Sequence, residues 1–253
     1  MKLVVGIPAF NEEQSIGKVI ATSARHAELV LVVDDGSEDG TPVIASSLGA
    51  VVLSHVKRMG YGVAIRDCFV WARQHDADAL ITLDADGQHD PAEIPIMRSV
   101  LRETNADVVI GSRRMRPEGM PTYRWLGKRA LDRVTNVRVG EELVDSQSGF
   151  RAYSRRAIQA LSPTESGMGA DSELLMRAKE ASMRIVAVTV AHRYVGLETS
   201  THNPVQHWFD VFFAVMKLKC TPLHLSSFAD VPGVDDAEWV NGQPLKGLMY
   251  SAS

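Results

Sequence analysis

Residues 80–91 of this chain read LITLDADGQHDP and mark the passage from a buried strand into a polar turn. The apolar run extends from Ala79 to Leu83, which predicts a short strand with both faces covered. It leads directly into Asp84 and Asp86. Because side chains two positions apart on an extended chain point to the same face, these carboxylates can converge where the strand ends. The Asp-Pro pair that follows is typical of a helix start, so the stretch predicts a strand–loop–helix unit.

The two carboxylates are also candidates for metal binding. Carboxylates held this close repel each other unless a cation compensates their charge. A hard divalent ion such as Mg²⁺ takes oxygen ligands from one or two carboxylates and leaves its other positions to substrate phosphates. The alternative is an acidic βα loop in which Asp90 does no more than cap the next helix.

Bulk properties restrict the class of protein. The 253 residues suffice for one large α/β domain or two small ones, and 45% hydrophobic with 23% charged residues is ordinary for a globular protein. A net charge of -4 argues against general nucleic-acid binding. Cys68 and Cys220 are too few for a disulfide framework or a cysteine-based zinc site. No apolar run reaches the length of about 20 residues that spans a bilayer, and the N-terminus turns polar too soon for a signal peptide.

Strands and helices alternate along the chain. Further strands are predicted at 3–7, 29–33, 50–53, 107–110 and 185–190, with helices between them that include 91–103 and 171–181. This alternation predicts a mainly parallel sheet built from right-handed βαβ units. We expect a single α/β domain over residues 1–225 and a poorly ordered tail over 226–253.

Three polar loops, 8–13, 34–41 and 84–90, each follow a predicted strand. The carboxyl ends of parallel strands meet at one edge of a sheet, which is where ligands bind in such folds. The loops should therefore lie together and form a ligand site. A G-x-G-x-x-G cradle is missing from the first βα turn, which weakens the interpretation as a dinucleotide-dependent dehydrogenase.

Residues 113–138 are strongly basic. They contain Arg113, Arg114, Arg116, Arg124, Lys128, Arg129, Arg133 and Arg138 against only Glu118 and Asp132. Such a run is usually a solvated helix face. Two alternatives are an anion site, since arginine grips phosphate well, and a patch that rests on acidic lipid headgroups.

Residues 204–219 predict a helix that is apolar on most sides. One interpretation buries this helix in the fold or in the interface of a homodimer. The other lays it in a membrane interface, with Lys217 and Lys219 at the level of the headgroups.

Five short motifs occur in order along the chain. They are PxxNE at 8–12, VDDGSxDGT at 33–41, DxDGQH at 84–89, GSR at 111–113 and DxxSGF at 145–150. Together they resemble the motif set of family 2 glycosyltransferases with the GT-A fold, most of all the dolichyl/polyprenyl-phosphate sugar synthases. The later segment 194–204 is similar to archaeal and bacterial members that load glucose or N-acetylglucosamine onto a polyprenyl phosphate. The resemblance implies a Rossmann-like, mixed and mainly parallel sheet flanked by helices.

The resemblance also implies a donor site for a nucleotide-sugar, with UDP-glucose or UDP-N-acetylglucosamine favoured and GDP-mannose as the alternative. The residues that it places in donor binding are Pro8, Phe10, Glu12, Asp34, Asp35, Gly60 and Asp84. Asp86 would ligate Mg²⁺ or Mn²⁺ on the donor diphosphate, with Gln88 as a further ligand, and the metal would act as a Lewis acid. For Glu12 and Asp35 the alternative role is helix capping.

The implied acceptor is dolichyl or polyprenyl phosphate. Arg113, with Arg124 or Arg129, would hold its phosphate, and Ser148 would add a hydrogen bond. The implied reaction is one in-line displacement at the anomeric carbon, with inversion. A lipid phosphate is already anionic at neutral pH, so a protein base is less necessary than for a hydroxyl acceptor. Asp171 is the candidate catalytic base, although we prefer to see it as an acidic residue that the helix dipole stabilises.

Three rival functions stay open. They are a glycosyltransferase acting on a sugar hydroxyl, a nucleotidyltransferase, and a non-catalytic nucleotide-sugar-binding protein. The paired carboxylates count against the last, and release of pyrophosphate would identify the second. The partners we expect are the nucleotide-sugar, the lipid acceptor and the cytoplasmic face of a membrane, with no nucleic acid and with a homodimer as an open alternative.

Overall fold

The computed structural model describes residues 1–112, Arg133, Asn136, 145–191 and, as backbone, 237–240 and 243–244. Statements about the structure concern these residues. Most of the basic run at 113–138 and the whole of the apolar segment 204–219 lie outside them. Among the described residues, no helix combines the length and the apolar character needed to cross a membrane.

Strands and helices alternate over most of the described chain, as the sequence predicts. The strands are β1 Leu3–Ala9, β2 Leu29–Asp34, β3 Val51–His55, β4 Ala79–Thr82, β5 Val108–Ser112, β6 Arg151–Ser154, β7 Ile185–Thr189, β8 Ala237–Val240 and β9 Gln243–Pro244. The helices are α1 Ile16–Ser23, α2 Thr41–Ser47, α3 Tyr61–Gln74, α4 Ile94–Glu103, α5 Arg155–Ala160 and α6 Ala170–Glu180, with a 3₁₀ turn at Pro91–Glu93.

All the described strands form one mixed sheet in the order β7-β5-β6-β4-β1-β2-β3-β8-β9. Strands β4, β1, β2 and β3 are parallel neighbours, and β5 pairs in parallel with β7. Strand β6 lies antiparallel between β4 and β5. The prediction of a mixed, mainly parallel sheet is confirmed. It places the ends of β1, β2 and β4 side by side.

Helices cover both faces of the sheet. Successive residues of β1 alternate between two cores, so that Val4 packs in one and Leu3 and Val5 pack in the other. Helices α3, α5 and α6 cover the first face, and α1, α2 and α4 cover the second. This double cover explains why the central strands read as continuous apolar runs rather than as alternating patterns.

The packing of α3 on β1 is close. A Cβ atom added to Gly6 would lie 2.8 Å from the sulfur of Cys68, which is fully buried. Phe69 of the same helix makes an edge-to-face contact with Tyr153 of β6, at a centroid distance of 4.7 Å. Cys68 is therefore a core residue, as the helical pattern around it predicts.

Six residues of the segment 226–253, for which the sequence predicts a poorly ordered tail, form two short strands. Strand β8 pairs antiparallel with β3, with Trp239 opposite Ser54, and β9 pairs with β8. Strands of four and two residues are too short to show a period in the sequence. Their position has a physical reason, because β3 would otherwise present an open edge of unpaired backbone groups.

Candidate active site

The three polar loops follow neighbouring strands at one edge of the sheet, and the first two are hydrogen-bonded to each other. The amide of Asn11 donates to the hydroxyl of Ser37 at 2.9 Å, and the amide of Glu38 donates to the side-chain oxygen of Asn11 at 2.9 Å. Asn11 has a φ of 55°, in the left-handed region that asparagine tolerates better than most residues. These bonds join the loop after β1 to the loop after β2 and confirm that the two segments meet.

Glu12 is bonded to the second loop and interacts electrostatically with the third. Its backbone amide donates to the hydroxyl of Thr41 at 2.8 Å, and its carboxylate accepts a bond from the hydroxyl of Ser15 at 2.9 Å. Burial raises the pKa of Glu12 to about 7; the Ser15 bond opposes this rise, and the charges of Asp86 and Asp39 add to it. The carboxylates of Glu12 and Asp86 therefore lie close enough to repel each other.

Asp84 and Asp86 lie beyond the end of β4, which stops at Thr82. The strand alternation used in the sequence argument therefore does not reach these two residues. The chain turns at Gly87, which has a φ of 71°, and the amide of Gln88 donates to the carboxylate of Asp86 at 2.9 Å. This turn fixes one oxygen of Asp86.

Gly149 lies directly against Asp84. A Cβ atom at position 149 would overlap both carboxylate oxygens of Asp84. The carbonyl of Gly149 also accepts a bond from the hydroxyl of Thr82 at 2.9 Å, which holds the 145–150 turn on the end of β4. Only glycine lets this turn approach the Asp84 carboxylate so closely.

The buried guanidinium of Arg151 organises this turn. It is fully buried and donates to the carbonyls of Ser148 at 2.8 Å, Ser146 at 2.6 Å and Asp171 at 2.7 Å. It also lies 3.4 Å from the carboxylate of Asp171. One side chain thus joins the 145–150 turn to the first turn of α6.

Asp171, the candidate base, is largely engaged by neighbours in this structure. In addition to the ion pair with Arg151, its carboxylate accepts a bond from the hydroxyl of Tyr61 at 3.2 Å. It lies in the first turn of α6, as the sequence predicts. Its partners are those of a structural ion pair, and the role of base stays a prediction.

Ser148 differs from what the resemblance implies. Its side chain is fully buried, and its hydroxyl donates to the carbonyl of Gly111 at 2.7 Å. The hydroxyl hydrogen is therefore used within the protein, where it ties the 145–150 turn to β5. The proposed hydrogen bond from Ser148 to an acceptor phosphate has no support in this geometry.

Residues implied in nucleotide binding line the ends of β1 and β2. Pro8 is buried within β1, and the half-buried ring of Phe10 lies 4.3 Å from the guanidinium carbon of Arg58. Asp34 is buried, which raises its pKa, although bonds from Ser37 oppose the rise. The structure therefore brings an aromatic ring and a buried carboxylate to the neighbouring ends of β1 and β2.

Asp35 does not point freely into a pocket. Its carboxylate accepts bonds from the His55 ring at 2.7 Å, from the amide of Met59 at 2.7 Å and from the amide of Gly60 at 2.8 Å. Two residues predicted for the donor site, Asp35 and Gly60, are thus in direct contact. Three donors hold this carboxylate in place.

The turn that contains Gly60 is also pressed against the segment before α6. Gly60 has a φ of 110°, in the left-handed region. A Cβ atom added to Gly60 would overlap the carbonyl of Ser166, and one added to Gly62 would overlap the carbonyl of Glu165. The amide of Gly62 donates to the Ser166 carbonyl at 2.9 Å. Both glycines are needed here because the two backbones touch.

Sequence reasoning missed four residues that shape this site: His55, Tyr61, Asp67 and Arg151. His55 bonds Asp67 at 2.8 Å in addition to Asp35. The position of His55 at the end of a strand was a usable signal. Tyr61 and Asp67 lie in α3 and Arg151 begins β6, and only the folded contacts show where their side chains go.

The acidic residues are also the candidates for binding a divalent cation. No group of three or more His, Cys, Asp or Glu side chains within the described residues is arranged to enclose a metal. Mg²⁺ held between protein and a diphosphate needs only one or two carboxylates, so this does not argue against Asp86. The repulsion between Glu12 and Asp86 is the kind of charge conflict that a bound cation relieves.

Comparisons with known proteins agree with this architecture. Residues 4–162 match the model of Glycosyl transferase family 2. A structure of glucosyl-3-phosphoglycerate synthase from Mycobacterium tuberculosis in complex with Mn²⁺, uridine-diphosphate and phosphoglyceric acid aligns with a TM-score of 0.68 and 22% identity. The alignment covers 88% of this chain and 80% of that one.

Two relatives are similar over most of their length. The UDP-N-acetylglucosamine–dolichyl-phosphate N-acetylglucosaminyltransferase of Methanococcus voltae is 29% identical over 84% of this chain and 94% of its own. The undecaprenyl-phosphate mannosyltransferase of Micrococcus luteus is 33% identical over 75% of this chain and 83% of its own.

The mixed sheet with acidic loops gathered at its ligand edge defines a GT-A type sugar transferase. The chain belongs to glycosyltransferase family 2 and is a hexosyltransferase.

Proposed function

We propose that this enzyme transfers a sugar from a nucleotide-sugar to the phosphate of a polyprenyl or dolichyl phosphate, with inversion at the anomeric carbon. The observation that carries the proposal is the meeting of Glu12, Asp35 and Asp86 from three loops at one sheet edge. Relatives named for transfer to dolichyl or undecaprenyl phosphate, which align over most of their own length, support the acceptor class.

The donor binds over the ends of β1 and β2. Phe10 offers a ring face to the base, Asp34 and Asp35 form the polar floor, and Glu12 accepts hydrogen bonds from ribose hydroxyls. UDP-glucose and UDP-N-acetylglucosamine are the favoured donors, and GDP-mannose is the alternative.

A divalent cation, Mg²⁺ or Mn²⁺, fits at the third loop, where Asp86 and Gln88 would hold it. When bound, it supplies Lewis-acid stabilisation of the departing nucleoside diphosphate. Asp84, fixed against Gly149, keeps its carboxylate at the sugar end of the cleft. Glu12 lies beside Asp86 and adds negative charge that favours the cation.

The acceptor is an anion before it reacts, so no side chain has to remove a proton from it. This agrees with the ion-paired state of Asp171, whose neighbours are Arg151 and Tyr61. The acceptor phosphate is assigned to Arg113, Arg124 and Arg129, which lie outside the described residues. Peripheral contact with the cytoplasmic face of a membrane completes the proposal.

The test is a product assay. Purified protein is incubated with UDP-glucose, UDP-N-acetylglucosamine or GDP-mannose, a short polyprenyl phosphate and Mn²⁺, and the products are identified by mass. We expect a lipid-linked hexose phosphate and release of the nucleoside diphosphate. A parallel incubation with UTP or GTP and the sugar 1-phosphate tests the rival enzyme class, because release of pyrophosphate in that reaction would identify a nucleotidyltransferase instead. Transfer to a free sugar hydroxyl, with no lipid product from any donor, would overturn the acceptor assignment.

A further inference from the structure

His55 lies at the end of β3 between two buried carboxylates. Its Nδ1 is 2.7 Å from Asp35 and its Nε2 is 2.8 Å from Asp67, and the three residues are each at most 4% exposed. Burial alone would lower the pKa of His55, but the bonds and charges of Asp35 and Asp67 raise it to about 9. Near neutral pH both ring nitrogens therefore carry hydrogen and donate to the carboxylates. The ring is therefore an imidazolium whose charge is shared by the two acids.

The charge arrangement continues into α3. The second oxygen of Asp67 lies 3.6 Å from Nε of the buried Arg66. The charges therefore alternate along this row of contacting side chains: Asp35 is negative, His55 positive, Asp67 negative and Arg66 positive. Removal of His55 would leave Asp35 and Asp67 without the cation between them, and a buried carboxylate without a partner is costly.

Asp35 links these charged side chains to the segment that follows β3. Its carboxylate holds the amides of Met59 and Gly60. Arg58, in the same short segment, lies over the ring of Phe10 at 4.3 Å from its centroid. The segment 57–60 therefore has its position set by Asp35 and forms one wall of the proposed base pocket.

We infer that His55 is a positioning residue for the nucleotide donor: it fixes the Asp35 carboxylate, which holds segment 57–60 against the pocket. The inference rests on the donor site of the proposed function. His55 itself touches neither sugar nor phosphate. Its effect should therefore appear in donor affinity and not in the chemical step.

The test is the variant His55→Gln, which keeps one hydrogen bond and loses the charge. Calorimetry with UDP and with GDP, each with Mn²⁺, should show about tenfold weaker binding of the nucleotide that wild type prefers, the scale of one lost charge-assisted bond. Hydrogen exchange at the amides of Met59 and Gly60 should become faster. In turnover, KM for the donor should rise while kcat and KM for the lipid stay unchanged.

Ile20→Ala in α1 is the matched control for a general loss of stability, since Ile20 is buried in the core on the face of the sheet opposite to α3. Asp67→Asn is a second variant that changes the far side of His55 without touching Asp35. Asp67→Asn should also weaken nucleotide binding, but by less than His55→Gln does. If His55→Gln does not fold, Asp67→Asn becomes the deciding variant.

Nucleotide affinity equal to wild type in the folded variants would overturn the inference, as would an equal loss in Ile20→Ala. Failure of wild type to bind either nucleotide would overturn it together with the donor site. If wild type binds nucleotide but loads no polyprenyl phosphate, only the proposed acceptor fails. Weaker binding in His55→Gln would then still support the role of His55.

Discussion

Gly149 lies against the carboxylate of Asp84, and this contact leaves no room for a larger residue. Gly149→Ala should lower kcat/KM by about 10²-fold, because a displacement of about 1 Å at a reacting centre has that cost. Gly17→Ala is the control. Gly17 lies in α1, where its Cβ would meet only Ile44 and Leu48 at ordinary van der Waals distances, and the variant should keep full activity. Wild-type activity in Gly149→Ala would show that the exact position of Asp84 does not matter.

Asp86 is the residue whose charge the proposed cation needs. Activity should vanish in EDTA and return with Mg²⁺ or Mn²⁺. Asp86→Asn should lose about 10²-fold or more in kcat, the scale seen when one stabiliser of developing charge is removed. Asp90→Asn, at the cap of the next turn, is a control of equal charge change and should stay active. Full activity of Asp86→Asn in chelator would exclude a metal-bound Asp86.

His55 also makes a prediction about stability and pH. Burial alone would lower the pKa of His55, but the bonds and charges of Asp35 and Asp67 outweigh it and raise the pKa to about 9. The folded pKa lies above the ordinary value of about 6.5. The resulting stabilisation, at most about 3 kcal/mol, is complete below about pH 6.5 and is lost as pH rises to about 9.

The check is urea unfolding of wild type and His55→Gln between pH 6 and 9.5. Their difference in free energy of unfolding should shrink as pH rises, and subtraction removes the contribution of Glu12, which also changes in this range. His75→Gln, at the exposed end of α3, should follow the wild-type curve. A difference independent of pH would mean that His55 is not charged in the fold.

At the scale of elements, the segment before α6 is held by one buried acid. Glu173 is fully buried, and it accepts bonds from the amides of Thr164 at 2.9 Å and Glu165 at 2.8 Å and from Arg177 at 2.8 Å. This segment in turn contacts Gly62 at the start of α3. Glu173 therefore joins α6 to the glycine turn beside the donor pocket.

Glu173→Gln should destabilise the protein by about 3 kcal/mol, because it leaves Arg177 without its buried charged partner. The new side-chain NH₂ group would also face backbone amides that donate hydrogen bonds, so these donors would lose their acceptor. Glu180→Gln, exposed at the other end of α6, is the matched control and should change stability by less than about 0.5 kcal/mol. Thermal unfolding of both variants measures the difference. Equal stability of the two variants would show that the buried bonds of Glu173 contribute nothing.

The sequence predicts best those elements in which a regular apolar pattern extends over many residues. Strands β1 and β2 and helix α3 form where their apolar residues predict, because these residues bury both faces of a sheet or one face of a helix. The antiparallel placement of β6 between β4 and β5 and the pairing of β8 with β3 depend on contacts far apart in sequence. No local pattern carries that information.

The site follows the same rule. The meeting of the loops that carry Glu12, Asp35 and Asp86 is predicted because strand ends of a parallel sheet share one edge, whereas the roles of Glu12 and Asp35 follow from the family resemblance. The buried contacts of Ser148 and Asp171 were not predicted. A short polar residue gives the same sequence pattern whether its side chain faces substrate or a backbone carbonyl. The folded structure shows that the Ser148 hydroxyl donates to the Gly111 carbonyl and that the Asp171 carboxylate is ion-paired with Arg151.

At the scale of the whole molecule, a lipid acceptor requires contact with a bilayer. The arginines of 113–138 and the apolar segment 204–219, both largely outside the described residues, are the sequence features that we expect to supply it. Arginines near an anionic surface each contribute about 1 kcal/mol, and salt screens this attraction. Sedimentation with anionic liposomes should therefore weaken as salt increases.

Phe212→Glu separates docking from burial of this segment. If residues 204–219 lie in the membrane interface, the variant should stay folded and lose liposome binding. Val43→Glu, which puts the same charge on a side chain of α2 that is 72% exposed, is the control and should bind like wild type. Unfolding of Phe212→Glu would place the segment in a core or dimer interface, because a buried unpaired charge is costly. Liposome binding that is unaffected by both salt and the Phe212→Glu substitution would rule out peripheral docking through these residues.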